Sequence, residues 1–206
     1  MDATYKRILK AINKKPQPQR KLARRTLIWV AYARRPLPIE GLAVAISTEM
    51  YMDSLEDLES LIPTEEFILN ACANLISVDQ GSGRYVRFVH FSVQEFFTSN
   101  RSITLSIGYE VAHREIAQTC MTYLVLSPKQ NNPLAGLHQY ALEEWPHHLL
   151  AGDLNSLPID DKIVTLTLSF FEKCGCVLRW RPIYIKFSTP VLALILNLPE
   201  RYAKSN

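Results

Sequence analysis

Apolar positions recur along this chain with two different periods. Tyr5, Ile8, Leu9 and Ile12 stand at the i, i+3, i+4, i+7 spacing of one helix face, and Pro16 and Pro18 break that helix. A second helix is predicted over Arg20–Ala33, with Ala23, Leu27, Val30 and Ala31 on its apolar stripe and Arg20, Lys21, Arg24 and Arg25 on the other side. Arg34-Arg35-Pro36 ends it, because a residue before proline is pushed out of the α region. Pro38 suits the first turn of a short third helix, Pro38–Ser47, that buries Ile39, Leu42, Ala43 and Ile46. Glu49–Leu61 is acidic and reads as loop. Thr64 has the chemistry of an N-cap, with Glu65 and Glu66 in the first turn where the helix dipole favours anions. The helix behind it, Thr64–Asn74, buries Ile68, Ala71, Cys72 and Leu75.

Then the period changes from helical to alternating. Leu75–Asp79 and Tyr85–Phe91 are β-rich runs joined by Gln80-Gly81-Ser82-Gly83, which reads as a hairpin. Ser92-Val93-Gln94-Glu95 has the form of a capping box, so a helix is expected directly after the second strand. Beyond Asn100 the pattern is helical. Ile116, Ala117, Cys120, Tyr123 and Leu124 mark a helix ended by Pro128. Leu137, Tyr140, Ala141, Trp145 and His148 mark another, which Pro146 should kink or restart. Ile159–Phe171, opened by Pro158, Asp160 and Asp161, marks a third; residues 174–206 fit no single period. The order predicts a mainly α chain with a small β-hairpin: a winged helix with one extra leading helix, followed by a helical bundle.

Composition sharpens this picture. With 206 residues and 48% hydrophobic content, the chain is long enough to bury a core without disulfides. Cys72, Cys120, Cys174 and Cys176 are too few for a disulfide framework, and a lone C-x-C is a poor metal signal. No apolar run reaches a membrane-spanning length and the charged N-terminus lacks a signal-peptide core, so an intracellular, cytoplasmic chain is expected. The net charge of +3 hides an asymmetry: residues 1–35 carry eleven Lys/Arg and one acid, while residues 36–206 carry twelve Lys/Arg and nineteen acids. Such a split raises a polyanion or an acidic surface as partner.

Catalytic patterns are missing. No phosphate loop and no G-x-S-x-G elbow occurs, so neither a nucleotide hydrolase nor a lipid hydrolase is indicated. His90, His113, His138, His147 and His148 show no zinc-protease spacing, and the neighbouring His147 and His148 would point about 100° apart on a helix. Glu143-Glu144 and Asp160-Asp161 read as solvated helix faces or first-turn acids. No metal, cofactor or catalytic residue is assigned.

A winged helix raises nucleic-acid binding as the alternative function. The helix that would enter the major groove, Thr64–Asn74, carries two glutamates and no cation, and the hairpin adds only Arg84 and Arg87. The basic surplus lies on the leading helices instead. Arg20, Lys21, Arg24, Arg25, Arg34 and Arg35 therefore form a candidate docking face for an acidic protein surface.

Several segments resemble one family. Asp2–Leu9, Arg35–Ile46 (with Gly41 where the family usually has Glu) and Ile68–Val78 match its motifs in order. So do Val89-His90-Phe91-Ser92-Val93-Gln94-Glu95-Phe96-Phe97, Ala112-His113 through Cys120 to Leu124, Tyr140-Ala141 and Trp145-Pro146-His147-His148. Together they cover about residues 2–150 and are similar to the GPI inositol-deacylase winged-helix domain of fungal NACHT-type, NLR-like (STAND) signalling ATPases. The family name suggests an enzyme, yet the resemblance implies a non-catalytic part that couples a NACHT ATPase to ankyrin or WD repeats through interdomain contacts. It implies fold-setting roles for His90, Phe91, Ser92, Glu95, Phe96, His113, Cys120, Tyr140, Trp145 and His148, with the NACHT domain as protein partner, in cis or in trans. The chain is expected to divide into a winged-helix domain (1–105), a helical domain (106–187) and a tail (188–206) whose Ser188–Ala193 resembles the start of an ankyrin repeat. It reads as the middle of such a receptor, without the ATPase or the repeats.

Overall fold

The computed structural model describes residues 2–50, 52–99, 108–127, 136–153 and 162–173. Cys174, Cys176, Pro128, Pro158, Asp160, Asp161 and the 188–206 tail lie outside the described residues.

Helix α1, Asp2–Asn13, buries Leu9 and Ile12. Helix α2, Gln17–Tyr32, starts earlier than periodicity predicted, because Pro18 falls in its first turn, where a missing N–H costs nothing. Helix α3, Ile39–Ser47, is buried along almost its whole length, with Pro38 as its N-cap rather than a helical residue. The acidic stretch expected to be loop contains a short helix α4, Leu55–Ser60. Ser54 nucleates it by accepting from the Asp57 amide, and Leu58 is its single buried anchor, too sparse a pattern for periodicity to detect. Helix α5, Glu65–Ala71, has the expected Thr64 cap, whose hydroxyl accepts from the Phe67 amide.

Strands β1 (Ile76–Val78) and β2 (Val86–Phe88) pair antiparallel with Ile76 opposite Phe88. A third extended segment joins them at the edge. The Val86 amide donates to the Leu37 carbonyl and the Ile39 amide to the Arg84 carbonyl, in a bridge of Pro38 with Tyr85. Pro38 fits there because its neighbours supply every donor the ladder needs. Helix α6, Phe91–Thr98, follows β2 closely, as expected.

Helices α7 (Tyr109–Leu126), α8 (His138–Ala151) and α9 (Lys162–Lys173) pack on each other, and α7 also packs on α2 and α3. Helix α8 runs through Pro146 without a break, although that ring removes one helix bond. One apolar core runs from Leu9 in α1 to Phe170 in α9, with Trp29 and Trp145 both fully inside it. The chain is thus mainly helical with one hairpin: α2, α3 and α5 form the winged-helix trio, β1 and β2 the wing, and further helices follow.

Candidate functional site

The six basic residues expected to form a free docking face are largely engaged within the molecule. Arg24 Nη1 donates to both carboxylate oxygens of Glu115 on α7, at 2.9 and 2.8 Å. Lys21 pairs with Glu49 at 2.5 Å. Arg34 reaches Glu144 at 3.4 Å, and Arg35 reaches Glu143 at 2.8 Å while lying over the Tyr140 ring. Arg20 and Arg25 have no carboxylate partner among the described residues, and Arg20 only approaches the Asn13 carbonyl. Glu143 and Glu144, read from sequence as a solvated pair, are therefore the counterions of the α2–α3 connection.

Arg25 departs most from expectation. It is 8% exposed rather than solvated. Its Nη2 hydrogens point at the carbonyls of Ala45 (3.1 Å) and Thr48 (2.6 Å) and at Thr119 Oγ1 (3.3 Å). The guanidinium so caps the C-terminus of α3, where orphan carbonyls and the dipole favour a cation, and reaches α7 as well. Burial lowers its pKa, opposed by Glu115 and Glu49. Placing four cations on one side of a helix did not reveal this, because an arc of 3.6 residues per turn gives no sign of which cation meets another helix end.

A second junction is a buried chain of polar side chains. The Arg34 amide donates to Tyr140 Oη at 3.0 Å. Tyr140 Oη lies 2.8 Å from His148 Nε2, and His148 Nδ1 lies 2.7 Å from His113 Nδ1. One assignment uses every proton: Tyr140 donates to His148 Nε2, and His148 Nδ1–H donates to His113 Nδ1. Both rings are then neutral. Burial, reinforced by neighbouring rings, lowers the His113 pKa to about 4 and the His148 pKa further still. Burial also raises the Tyr140 hydroxyl well above its usual range. Tyr140 further meets Trp29 of α2 edge-on. The chain thus stitches α7 and α8 to the winged helix with groups that hold their protons over the neutral range.

The junction of hairpin and α6 differs in detail from the capping box expected at Ser92. His90 is the N-cap: its Nδ1 accepts from the Ser92 amide at 3.1 Å. Ser92 Oγ lies 2.6 Å from His90 Nδ1 and 2.6 Å from Tyr5 Oη, tying α1 to the start of α6. Glu95 is exposed and makes no reciprocal bond. Phe96 is buried against Tyr5, as its motif position implies, whereas Phe91 is 70% exposed and sets no core. A groove of about 390 Å³ opens beside it, floored by Trp29, Leu42, Val86 and Phe88 and edged by Arg35 and Arg87.

Cys72 and Cys120 are buried free thiols; burial raises the first to about 12 and the second further, so neither is primed as a nucleophile. Among the described residues no group of His, Cys, Asp or Glu has metal-binding geometry, and no helix is long and apolar enough to cross a membrane. On the side of the trio where a duplex would dock, α5 presents Glu66 to solvent. The wing's Arg84, in the left-handed region at φ 43°, is held by Glu40 and Glu65.

Comparison with known proteins agrees with this architecture. The chain is 27% identical over 202 residues to the azaphilone pigments biosynthesis cluster protein L of Monascus ruber, a match covering 89% of this chain and 41% of that protein. The chain therefore spans less than half the length of this curated relative. No solved structure matches. The sequence model described as "GPI inositol-deacylase, winged helix domain" matches residues 10–112, from inside α1 to inside α7. Since that match takes in the trio, the wing and the His90 junction, and half the chain, the protein belongs to the GPI inositol-deacylase winged helix domain family.

Proposed function

We propose that this chain is a non-catalytic regulatory and interaction module of a NACHT-type, NLR-like signalling protein, which couples an ATPase domain to neighbouring repeats through interdomain contacts. Three features support a coupling role over a catalytic one. The polar clusters that sequence brings to mind as chemistry are spent on internal joints: Arg24 on Glu115, Arg25 on the end of α3, and His113, His148 and Tyr140 on one another. The winged helix and the following helices share one core and so would move as one body, which is what transmission of a displacement requires. The chain also aligns with less than half of a longer relative, in keeping with a part that works beside other domains.

The observation that carries the reading is Phe91. A large apolar side chain in the motif segment, 70% exposed beside a groove edged by Arg35 and Arg87, is what a covered interdomain surface looks like once its cover is absent. The test is a pull-down of the cognate NACHT ATPase domain by the full chain, without nucleotide and with ADP or ATP. Phe91→Asp and Arg87→Glu should each abolish capture while the far-ultraviolet circular dichroism stays unchanged. Reversing Arg24 or Arg25 is the wrong probe, since both hold the fold together. No association in any nucleotide state would sink the proposal. For nucleic-acid binding, the alternative, the expectation is no duplex binding even at low salt, where phosphate contacts are strongest.

A further inference from the structure

A second block of unbalanced charge follows the basic N-terminal stretch. Residues 36–83 hold nine carboxylates and no Lys, Arg or His. The folded chain concentrates several of them where α4 and α5 wrap the flank of α3, on which both pack. Asp53, Glu56, Glu59 and Glu66 are exposed there and form no ion pair among the described residues. Two large apolar residues stand out among them, Leu61 at 56% and Phe67 at 43% exposure. These two side chains give a partner apolar surface to bury beside the carboxylates.

The complementary surface is on the same chain. Lys6, Arg7, Lys10 and Lys14 follow one another along α1 and its end within about 100° of arc, opposite the stripe of Tyr5, Ile8, Leu9 and Ile12 that meets the core. All four are exposed, and none forms an ion pair among the described residues. Ala3 and Ala11 are exposed beside them, small enough to let a Leu or Phe approach the helix backbone. Four cations thus face outward along α1 and its end, and four carboxylates along the stretch from Asp53 through α4 to α5. No ion pair joins the two sets among the described residues, so both remain available to a second molecule.

We propose that the acidic α4–α5 face, centred on Leu61 and Phe67, docks the basic face of α1 of a second copy of this chain. The contact is heterologous, with two different surfaces meeting. It therefore repeats from copy to copy and builds a ring or an open row rather than a closed symmetric pair. Because the matching charges are exposed, the contact is strong at low ionic strength and screened by salt. This assembly uses neither the Phe91 groove nor Arg87, so it stands or falls independently of the ATPase contact.

Sedimentation velocity of the full chain across a concentration series tests it. At about 20 mM salt, larger species should grow with concentration. Their apparent dissociation constant should weaken at least tenfold, roughly, at about 0.5 M salt. A triple variant Glu56→Lys, Glu59→Lys, Glu66→Lys and a second, Lys6→Glu, Lys10→Glu, Lys14→Glu, should each remain monomeric with unchanged circular dichroism. A chain carrying all six reversals keeps the net charge of +3 and should associate again, because its reversed acidic face meets the reversed basic face of the next copy. Rescue in that chain separates pairing of these faces from a general charge effect, since its net charge is that of the wild type. A wild-type chain that stays monomeric at low salt overturns the proposal, and so does association that persists in either triple variant alone. Uptake of a monomeric wild-type chain by phosphatidylserine vesicles, lost in the α1 variant, would likewise overturn it in favour of a membrane contact.

Discussion

Acidification should unfold this protein through the His113–His148 pair. Both rings are buried, with exposures of 3% and 0%, and both must stay neutral to keep the bond from His148 Nδ1–H to His113 Nδ1. The His113 pKa is lowered to about 4 and the His148 pKa is lowered further. The unfolded chain returns both to about 6.5, so between these values it binds more protons than the folded chain. Stability is therefore complete above about pH 6.5 and is lost as pH falls towards the folded values. At about pH 5 each neutral ring forgoes about 1.5 pH units of protonation, or about 2 kcal/mol, and the pair about 4 kcal/mol. Burial also lowers the pKa of His138 and His147, which adds to the loss in the same direction. Urea unfolding followed by the fluorescence of buried Trp29 and Trp145 measures it. Between about pH 6 and about pH 5 the slope contributed by the pair should approach two protons, about 2.7 kcal/mol per pH unit. His113→Asn places an amide oxygen near the lost Nδ1 acceptor and cannot titrate, so that contribution should fall to about one proton. A stability independent of pH over this range, or a variant keeping the wild-type slope, would refute the neutral, buried pair on which the reasoning rests.

Other joints give sharper single-site tests. Arg25→Ala strands the Ala45 and Thr48 carbonyls at the end of α3 and should cost about 3 kcal/mol, read as a fall in thermal midpoint, whereas the exposed Lys21→Ala should cost less than about 1 kcal/mol. Gly41→Ala puts a methyl group 2.5 Å from the Gly136 carbonyl oxygen, where both sides are backbone; a loss of roughly 1–3 kcal/mol in urea unfolding is expected. Thr64→Ala removes the cap of α5 and should cost about 1 kcal/mol, restored by Thr64→Ser. Phe91→Ser should leave the urea midpoint within about 0.5 kcal/mol, because a side chain this exposed contributes little to the core.

Much of the winged helix is legible in the chain because its signals are local. A 3.6-residue stripe, a Thr-Glu-Glu start and two β-rich runs around Gly-Ser-Gly each act within a few residues, and α1, α5 and the hairpin lie where those signals put them. The misses have equally local causes. Helix α4 has one buried residue and so no period. Pro36 reads as a break and Pro38 as a first-turn residue of α3, though Leu37 and Ile39 carry the bridge to the wing. At the start of α6 two caps compete. His90 wins because its ring nitrogen reaches the Ser92 amide, which leaves the Ser92 hydroxyl for Tyr5.

The sequence alone determined the order of elements, the buried stripes and the absence of a phosphate loop or nucleophile elbow, since these rest on residue type and spacing. Only the tertiary structure decided what the charges do. Arg24 meets Glu115 across 91 positions and Arg35 meets Glu143 across 108. A helix face specifies which side chains point together, but the partner of that face depends on how distant helices dock, and docking is set by the shared core. The basic stretch that looked free in the chain is therefore divided by the fold: Arg24 and Arg25 of α2 become internal joints, and Lys6 and Lys10 of α1 remain open to solvent.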